Sequence, residues 1–305
     1  MNLAIGMGPA IFKKQKGDTL YAVRILPIGG YCAMEGEDED SEDERAFNNK
    51  PAWQRACVLA AGAFMNLLTA VILLIIIAFW SGQPTTTVET VLSDSPAYEA
   101  GMEKGDEIVY VDGKKVEEWN DILEFIGQSS EKTAEIGILR DGENMTLTSA
   151  LVYDEEAGRN KVGISPEVEH SILPAISTGI KSTGQMTVMM VDIIKQLFTG
   201  DVSVSELSGP VGIVYAVNDT AKAGVIYVVY LAALLSLNLA IMNMLPFPAL
   251  DGGRLLFLLI RKITGKRVTD EMEGKIHFVG IMLLMLLMVY VTWNDIVRFI
   301  VPIFT

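Results

Sequence analysis

From Val225 to Met242 the chain carries no acidic or basic side chain. As a helix rising 1.5 Å per residue, this run covers about 27 Å, close to the hydrocarbon thickness of a bilayer. It leads directly into Asn243-Met244-Leu245-Pro246-Phe247-Pro248-Ala249-Leu250-Asp251-Gly252-Gly253-Arg254. Two prolines one residue apart forbid a continuous helix and force an extended segment just before the acid. Asp251 therefore sits at or just inside a membrane boundary, where inserting a carboxylate costs roughly 3 kcal/mol. Broken backbone at that depth is tolerated only where protein buries it or where it lines a cavity. Two readings stay open on the residues alone: a functional acid, or a helix that ends at the interface with Asp251-Gly252-Gly253 as its exit turn.

Other stretches repeat the membrane signal. Val58 to Trp80 is uncharged and long enough to span, with Trp53 and Trp80 placed as interfacial aromatics. A last span is expected over about 276–301. With 50% hydrophobic residues, a net charge of −14 and a mean hydropathy of +0.34, the chain is too apolar for an ordinary soluble domain. It is also too acidic for a nucleic-acid binder, which needs a basic stripe. Cys32 and Cys57 are the only cysteines, so neither a disulfide framework nor a thiolate metal site is on offer. The chain does not open with a signal peptide.

In order, residues 1–57 form a cytoplasmic-side segment with a β-like loop and an acidic run, Glu35 to Glu44, read as a solvated loop. In the β-like part, Tyr21 to Tyr31 mixes β-formers with Pro27 and a Gly29-Gly30 turn. Residues 58–80 are a transmembrane helix and 83–167 a soluble insert. Residues 171–224 hold an amphipathic helix and linker, with apolar side chains at helical spacing from Ile176 to Leu197. Residues 225–253 are a transmembrane helix ending in the Pro-Pro-Asp stretch, 254–275 a basic loop, and 276–301 the last span. Arg254, Arg261, Lys262, Lys266, Arg267 and Lys275 make that short loop cytoplasmic by the positive-inside rule. Alternation of spans then puts the insert outside the cytoplasm and Asp251 near the cytoplasmic face. Gly62 and Asn66, at i and i+4, share one face of the first span. Close approach of another backbone and ordinary helix packing both account for them.

Asn-x-x-Pro-x-Pro-x-Leu-Asp-Gly-Gly resembles the third-ligand motif of the site-2 protease family, the zinc metalloproteases of regulated intramembrane proteolysis. The resemblance implies that Asp251 is a zinc ligand, shaped by Asn243, Pro246 and Pro248. Its two partner ligands would be the histidines of a His-Glu-x-x-His helix, whose Glu is the general base. Leu26-Pro27-Ile28-Gly29-Gly30-Tyr31 resembles the family's membrane-associated β-loop, which implies that Leu26, Gly29 and Gly30 meet an extended substrate. Gly62-x-x-x-Asn66 resembles the helix packed against the family's site. Ser208-Gly209-Pro210-Val211-Gly212 also matches the family, with no chemical role attached.

Ser95-Pro96-Ala97, Ala100 to Ile108 and Val111-Asp112-Gly113 resemble a bacterial PDZ domain. That resemblance implies a groove for an extended peptide, lined by Val162, Gly163 and Ile164, or a PDZ used only as a spacer. The fold class expected is a polytopic α-helical membrane protein of the bacterial-type plasma membrane, with three visible spans and an inserted β-rich PDZ domain. A fourth span, carrying His-Glu-x-x-His, is expected before residue 1.

Within the chain, His170 and His277 are the only histidines, and neither stands in His-Glu-x-x-His. His170 reads as a surface residue and His277 as an interfacial or packing one. A catalytic zinc needs three protein ligands, so one carboxylate alone would not hold the ion. The expected partners are a membrane-protein substrate helix, a peptide at the PDZ groove and the lipid bilayer, with no nucleic acid. Two functions follow. One is an intramembrane zinc metalloprotease whose printed chain lacks its histidine ligands and is inactive alone. The alternative is a non-catalytic PDZ-bearing membrane protein that binds peptides.

Overall fold

Three helices among the described residues are long and apolar enough to cross a membrane: Ala52–Ser81, Val225–Met244 and Glu271–Ile300. The structure is a computed structural model that describes residues 1–37, 41–129, 131–155, 157–264 and 269–304. Asp38, Glu39 and Asp40 of the acidic run, and Lys266 and Arg267 of the basic loop, lie outside the described residues.

In chain order, β1 (Asn2–Lys16) and β2 (Thr19–Ala33) precede α1 (Ala52–Ser81). Then come β3 (Gln83–Val91), α2 (Pro96–Glu99), β4 (Glu107–Val111), β5 (Lys114–Lys115) and α3 (Trp119–Gly127). β6 (Thr133–Arg140), β7 (Glu143–Ala150), β8 (Val152–Asp154), β9 (Arg159–Lys161) and β10 (Ile164–Glu169) complete the β-rich insert. α4 (Ile172–Thr199), α5 (Pro210–Ala223), α6 (Val225–Met244), α7 (Asp251–Thr264), α8 (Asp270–Asp295) and α9 (Val301–Phe304) follow, with a π turn at Ile296–Ile300. The chain forms two compact units, Met1–Ala70 with Thr187–Thr305, and Val71–Met186.

In the first unit β1 and β2 make an antiparallel hairpin whose turn falls at Gly17-Asp18, not at Gly29-Gly30. The reason is pairing: residues Asn2 to Ile5 pair with Gly30 to Ala33 as well as with Leu20 to Val23. Gly30 is therefore strand, and it must be glycine, because a Cβ there would lie 2.7 Å from the Ala4 carbonyl oxygen. The spanning helices of this unit leave large apolar side chains open, among them Phe64, Phe278 and Leu286. Lipid is the solvent that suits such surfaces.

The Gly209-Pro210-Val211-Gly212 segment, without a role on sequence grounds, opens α5 with Pro210 in its first turn. The Gly212 N–H donates to Asp295 Oδ2 at 2.7 Å. Asp295, 2% exposed, thus caps α5 from the end of α8. A Cβ on Gly209 would come within 2.9 Å of that carboxylate, and one on Gly212 within 3.1 Å. The two glycines are what let a helix start be laid on a buried acid.

In the second unit the strand order is β10-β3-β4-β6-β7, with β5 paired to β4 and β8 paired to β9 apart from the sheet. Its core is Val88, Ile108, Val111, Trp119, Ile122, Ile126, Ile136, Ile138 and Val162 with their neighbours. The inward residues of β6 alternate as Ala134, Ile136 and Ile138, the period of a sheet with one buried face. α3 lays Trp119, Ile122 and Ile126 on that core, side chains whose spacing puts them on one helix face. The insert is β-rich with two short helices, as the PDZ resemblance implied. Its stalk is tied too: the Thr178 hydroxyl donates to Gln83 at 2.7 Å. His170 Nδ1 lies 2.9 Å from the Phe79 carbonyl oxygen, so this histidine, although exposed, has a local partner.

Among the ion pairs of this domain, Asp106 with Arg140 has the most deeply buried carboxylate of those described. Asp106 is 1% exposed. It accepts from Arg140 Nε at 2.6 Å and Nη2 at 2.7 Å, and from the Glu103 N–H at 2.8 Å. Burial pushes the Asp106 carboxyl up, but Arg140 and the Glu103 N–H together outweigh it and hold the group below its ordinary value. A depressed carboxyl contributes stability above its unfolded value, near 3.9, and loses it as pH falls through the folded value. Arg140→Leu, which strands a buried carboxylate, is expected to cost about 3–5 kcal/mol. Hydrogen exchange of residues 105–140 should show the loss at pH 7, and the deficit should shrink as pH drops toward 3.

Candidate functional site

α6 stops at Met244 because Pro246 and Pro248 offer no N–H to continue its ladder. The next residues turn back on themselves instead. The Phe247 N–H donates to the Leu245 carbonyl at 2.7 Å and the Leu250 N–H to that of Phe247 at 3.2 Å. Ala249 stands at φ 80°, left-handed space that a non-glycine residue occupies at a cost of about 1–2 kcal/mol. Asp251 then begins α7, where an acid is favourably placed on the helix dipole.

This turn survives because its surroundings leave room for it. A Cβ on Gly252 would strike the carbonyl oxygens of Leu245 and Met244, and one on Gly253 that of Phe247. A Cβ on Gly280 of α8 would lie 2.6 Å from both Pro248 Cβ and Pro248 O. One turn earlier on α8, His277 Nδ1 accepts the Ala249 N–H at 2.8 Å. That bond leaves the proton on Nε2, which stands 3.6 Å from Glu273 Oε1. His277 and Gly280 are thus the residues that hold the Asp251 turn, and sequence reasoning did not give them that role. The signal available was their i, i+3 spacing on one face of the last span.

Gly62 meets the turn from α1: a Cβ there would lie 3.9 Å from Asp251 Oδ2. Asn66, one turn further on, is half-buried. Asn243 is half-buried near the end of α6, Pro246 is exposed, and Pro248 is half-buried under Gly280. Arg254 Nη1 donates to Glu37 Oε1 at 2.9 Å. A cavity of about 580 Å³ opens alongside, lined by Glu37, Arg55, Arg254, Arg261, Glu273 and His277 among others.

The other site residues expected from sequence lie elsewhere. Leu26, Gly29 and Gly30 belong to β2, with Leu26 exposed and paired to Met7. Val162, Gly163 and Ile164 belong to the β-rich unit. The Val162 side chain is core, and its carbonyl accepts the Ala97 N–H at 3.0 Å. Gly163 adopts φ 87° and its carbonyl accepts the Leu92 N–H at 2.9 Å. Ile164 opens β10, the end strand of the sheet.

Residues 1–287 match Peptidase family M50. The chain belongs to this family, that of the site-2 proteases. It is 32% identical over 381 residues to the regulator of sigma-W protease RasP of Bacillus subtilis (strain 168), covering 97% of this chain and 90% of that protein. It is 38% identical over 297 residues to a putative zinc metalloprotease of Clostridium perfringens (strain 13 / Type A), covering 96% and 88%. Among solved structures, the PDZ domain of an SdrC-like protein from Listeria innocua aligns at 22% identity. The TM-score is 0.26, over 28% of this chain and 97% of that one.

M50 membership makes the chain a zinc metalloendopeptidase by family. The side chains described here do not by themselves fit zinc. No group of three His, Cys, Asp or Glu that could hold a metal gathers among the described residues. Asp251 has Arg254 and Glu37 as its charged neighbours, while His277 turns Nδ1 to a backbone N–H and His170 lies in the other unit. Packing supplies a prediction. Gly280→Ala should destabilise the chain in detergent by about 1–3 kcal/mol through overpacking against Pro248, read as a lower thermal-aggregation midpoint. Gly274→Ala, whose Cβ meets nothing within 4 Å, should leave that midpoint unchanged or raise it.

Proposed function

We propose that this M50 chain handles membrane-protein substrates for intramembrane proteolysis, with Asp251 as the third zinc ligand and the turn from Asn243 to Leu250 as its mount. The observation that carries the reading is the convergence on Asp251. Gly62 faces its carboxylate, while Gly252, Gly253, Gly280 and His277 hold the turn behind it. So much constraint on a strained backbone suits a carboxylate that must be aimed.

Neither histidine of these 305 residues stands in His-Glu-x-x-His. Hydrolysis is therefore assigned to an assembly that includes such a helix, and the chain alone is inactive. Leu26, Gly29 and Gly30 sit on a strand suited to pairing with an extended segment. Around Ile164 the end strand β10 offers a backbone edge for an extracytoplasmic peptide. Gly163 lends that edge its bend, and Val162 supports it from the core. Arg254, Arg261 and Lys262 favour a cytoplasmic face for α7, which puts the β-rich domain on the far side of α1.

A second reading rests on the same missing His-Glu-x-x-His: a peptide-binding membrane protein that performs no hydrolysis. One experiment separates the two. A His-Glu-x-x-His helix is joined ahead of residue 1, and zinc content and cleavage of a membrane-anchored reporter are measured. Stoichiometric zinc and cleavage are expected, both abolished by Asp251→Ala. Undiminished cleavage in the Asp251→Ala protein would sink the ligand assignment, and failure of the joined protein to take up zinc would favour the peptide binder.

A further inference from the structure

Glu37 stands between two parts of the chain that its sequence position does not connect. Its Oε2 accepts the N–H of Met34, the residue after β2 ends at Ala33, at 3.3 Å. Its Oε1 accepts from Arg254 Nη1 at 2.9 Å, across 217 residues. Arg254 lies three residues after Asp251, on the same side of the first turn of α7. Both side chains are mostly covered, 20% exposed for Glu37 and 33% for Arg254. The bend that presents Glu37 is itself pinned. The Phe47 N–H donates to the Glu35 carbonyl at 2.8 Å, and Gly36 at φ 75° fits against Ala46 and Asn48. An acidic run read as loose solvated loop thus has its first residues fixed beside the Asp251 turn.

We infer that the Glu37–Arg254 pair sets the position of the β2 strand relative to Asp251, making both of them positioning residues for the strand that receives an extended substrate. The geometry stands alone, and its meaning for substrate rests on the endopeptidase reading above. The physical reason is the short lever. Only the pinned Met34–Glu37 bend separates Ala33 from the carboxylate, and Glu37 closes that bend on one oxygen while gripping α7 with the other. A charged pair that is two-thirds or more covered holds geometry better than a surface pair, whose side chains trade freely with water. Among the described residues the β1–β2 sheet has two strands, and its far turn is tied by the exposed Arg45–Asp18 pair; a two-stranded hairpin is marginal without a support.

The test is hydrogen exchange of the full chain in lipid nanodiscs, with Glu37→Gln, Arg254→Gln and the charge-swapped pair Glu37→Arg with Arg254→Glu. Each single change is expected to speed exchange of the 19–34 amides by about fivefold or more, while residues 255–264 of α7 keep their protection. The swapped pair should recover most of the loss. Unchanged exchange in both single variants overturns the inference, and so does a swapped pair that stays as fast as the singles. If α7 loses protection together with β2, the pair holds the fold rather than the strand, and the inference fails. In the zinc-competent joined protein, Glu37→Gln should raise KM for the reporter with little change in kcat; an equal loss in kcat at unchanged KM overturns the positioning role. If no variant of the joined protein cleaves, the endopeptidase reading fails while the exchange data still decide the pairing.

Discussion

An extended peptide at membrane depth has backbone groups that lipid cannot satisfy, and the hydrogen bond from the Ala249 N–H to His277 answers that constraint. Ala249 is at once off the helix, in left-handed space and two residues before Asp251. Without an acceptor on α8, its N–H would be left in an apolar setting at a cost of about 1–3 kcal/mol. The rest of the turn follows from this one bond. Gly280 brings α8 close enough to make it, and Gly252 with Gly253 lets α7 start under the folded-back carbonyls. The Pro-x-Pro-x-Leu-Asp turn is therefore half a structure; the other half lies on α8.

How the chain divides labour also comes from local physics. The β-rich unit has a dry core with one well-partnered buried acid, Asp106, and resembles an ordinary soluble domain. The other unit keeps its apolar side chains outside and places its polar chemistry, Asp251, Glu37, Arg254 and His277, where helices meet. This inversion is what a bilayer solvent demands.

Much of this was legible in the residues. Uncharged runs gave the spans, since no other structure accepts such a stretch in lipid, and the Pro-x-Pro-x-Leu-Asp-Gly-Gly wording gave both the broken helix and the family. The PDZ-like wording from Ser95-Pro96-Ala97 to Val111-Asp112-Gly113 gave the insert. What stayed hidden depends on contacts between distant residues. The role of His277 needs α8 to lie against residue 249, and that of the Gly209-Gly212 pair needs Asp295, more than eighty residues later. The hairpin turn was misplaced to Gly29-Gly30 because a Gly-Gly pair signals a turn locally, whereas here close strand approach requires the glycine. No local pattern could show that Glu37, in a dense acidic run, faces an arginine 217 residues away.

The two attachments of α8 have one more consequence. His277 is fixed to the Ala249 backbone and Asp295 to the Gly212 backbone. Eighteen residues separate them, about 27 Å along the axis, nearly the thickness of the hydrocarbon layer. Most spans answer a thicker or thinner bilayer by tilting. This helix cannot tilt independently of the two segments it is bonded to, because either end would pull on a backbone amide. α8 thus sets the separation of the Ala249 and Gly212 segments at about 27 Å along its axis.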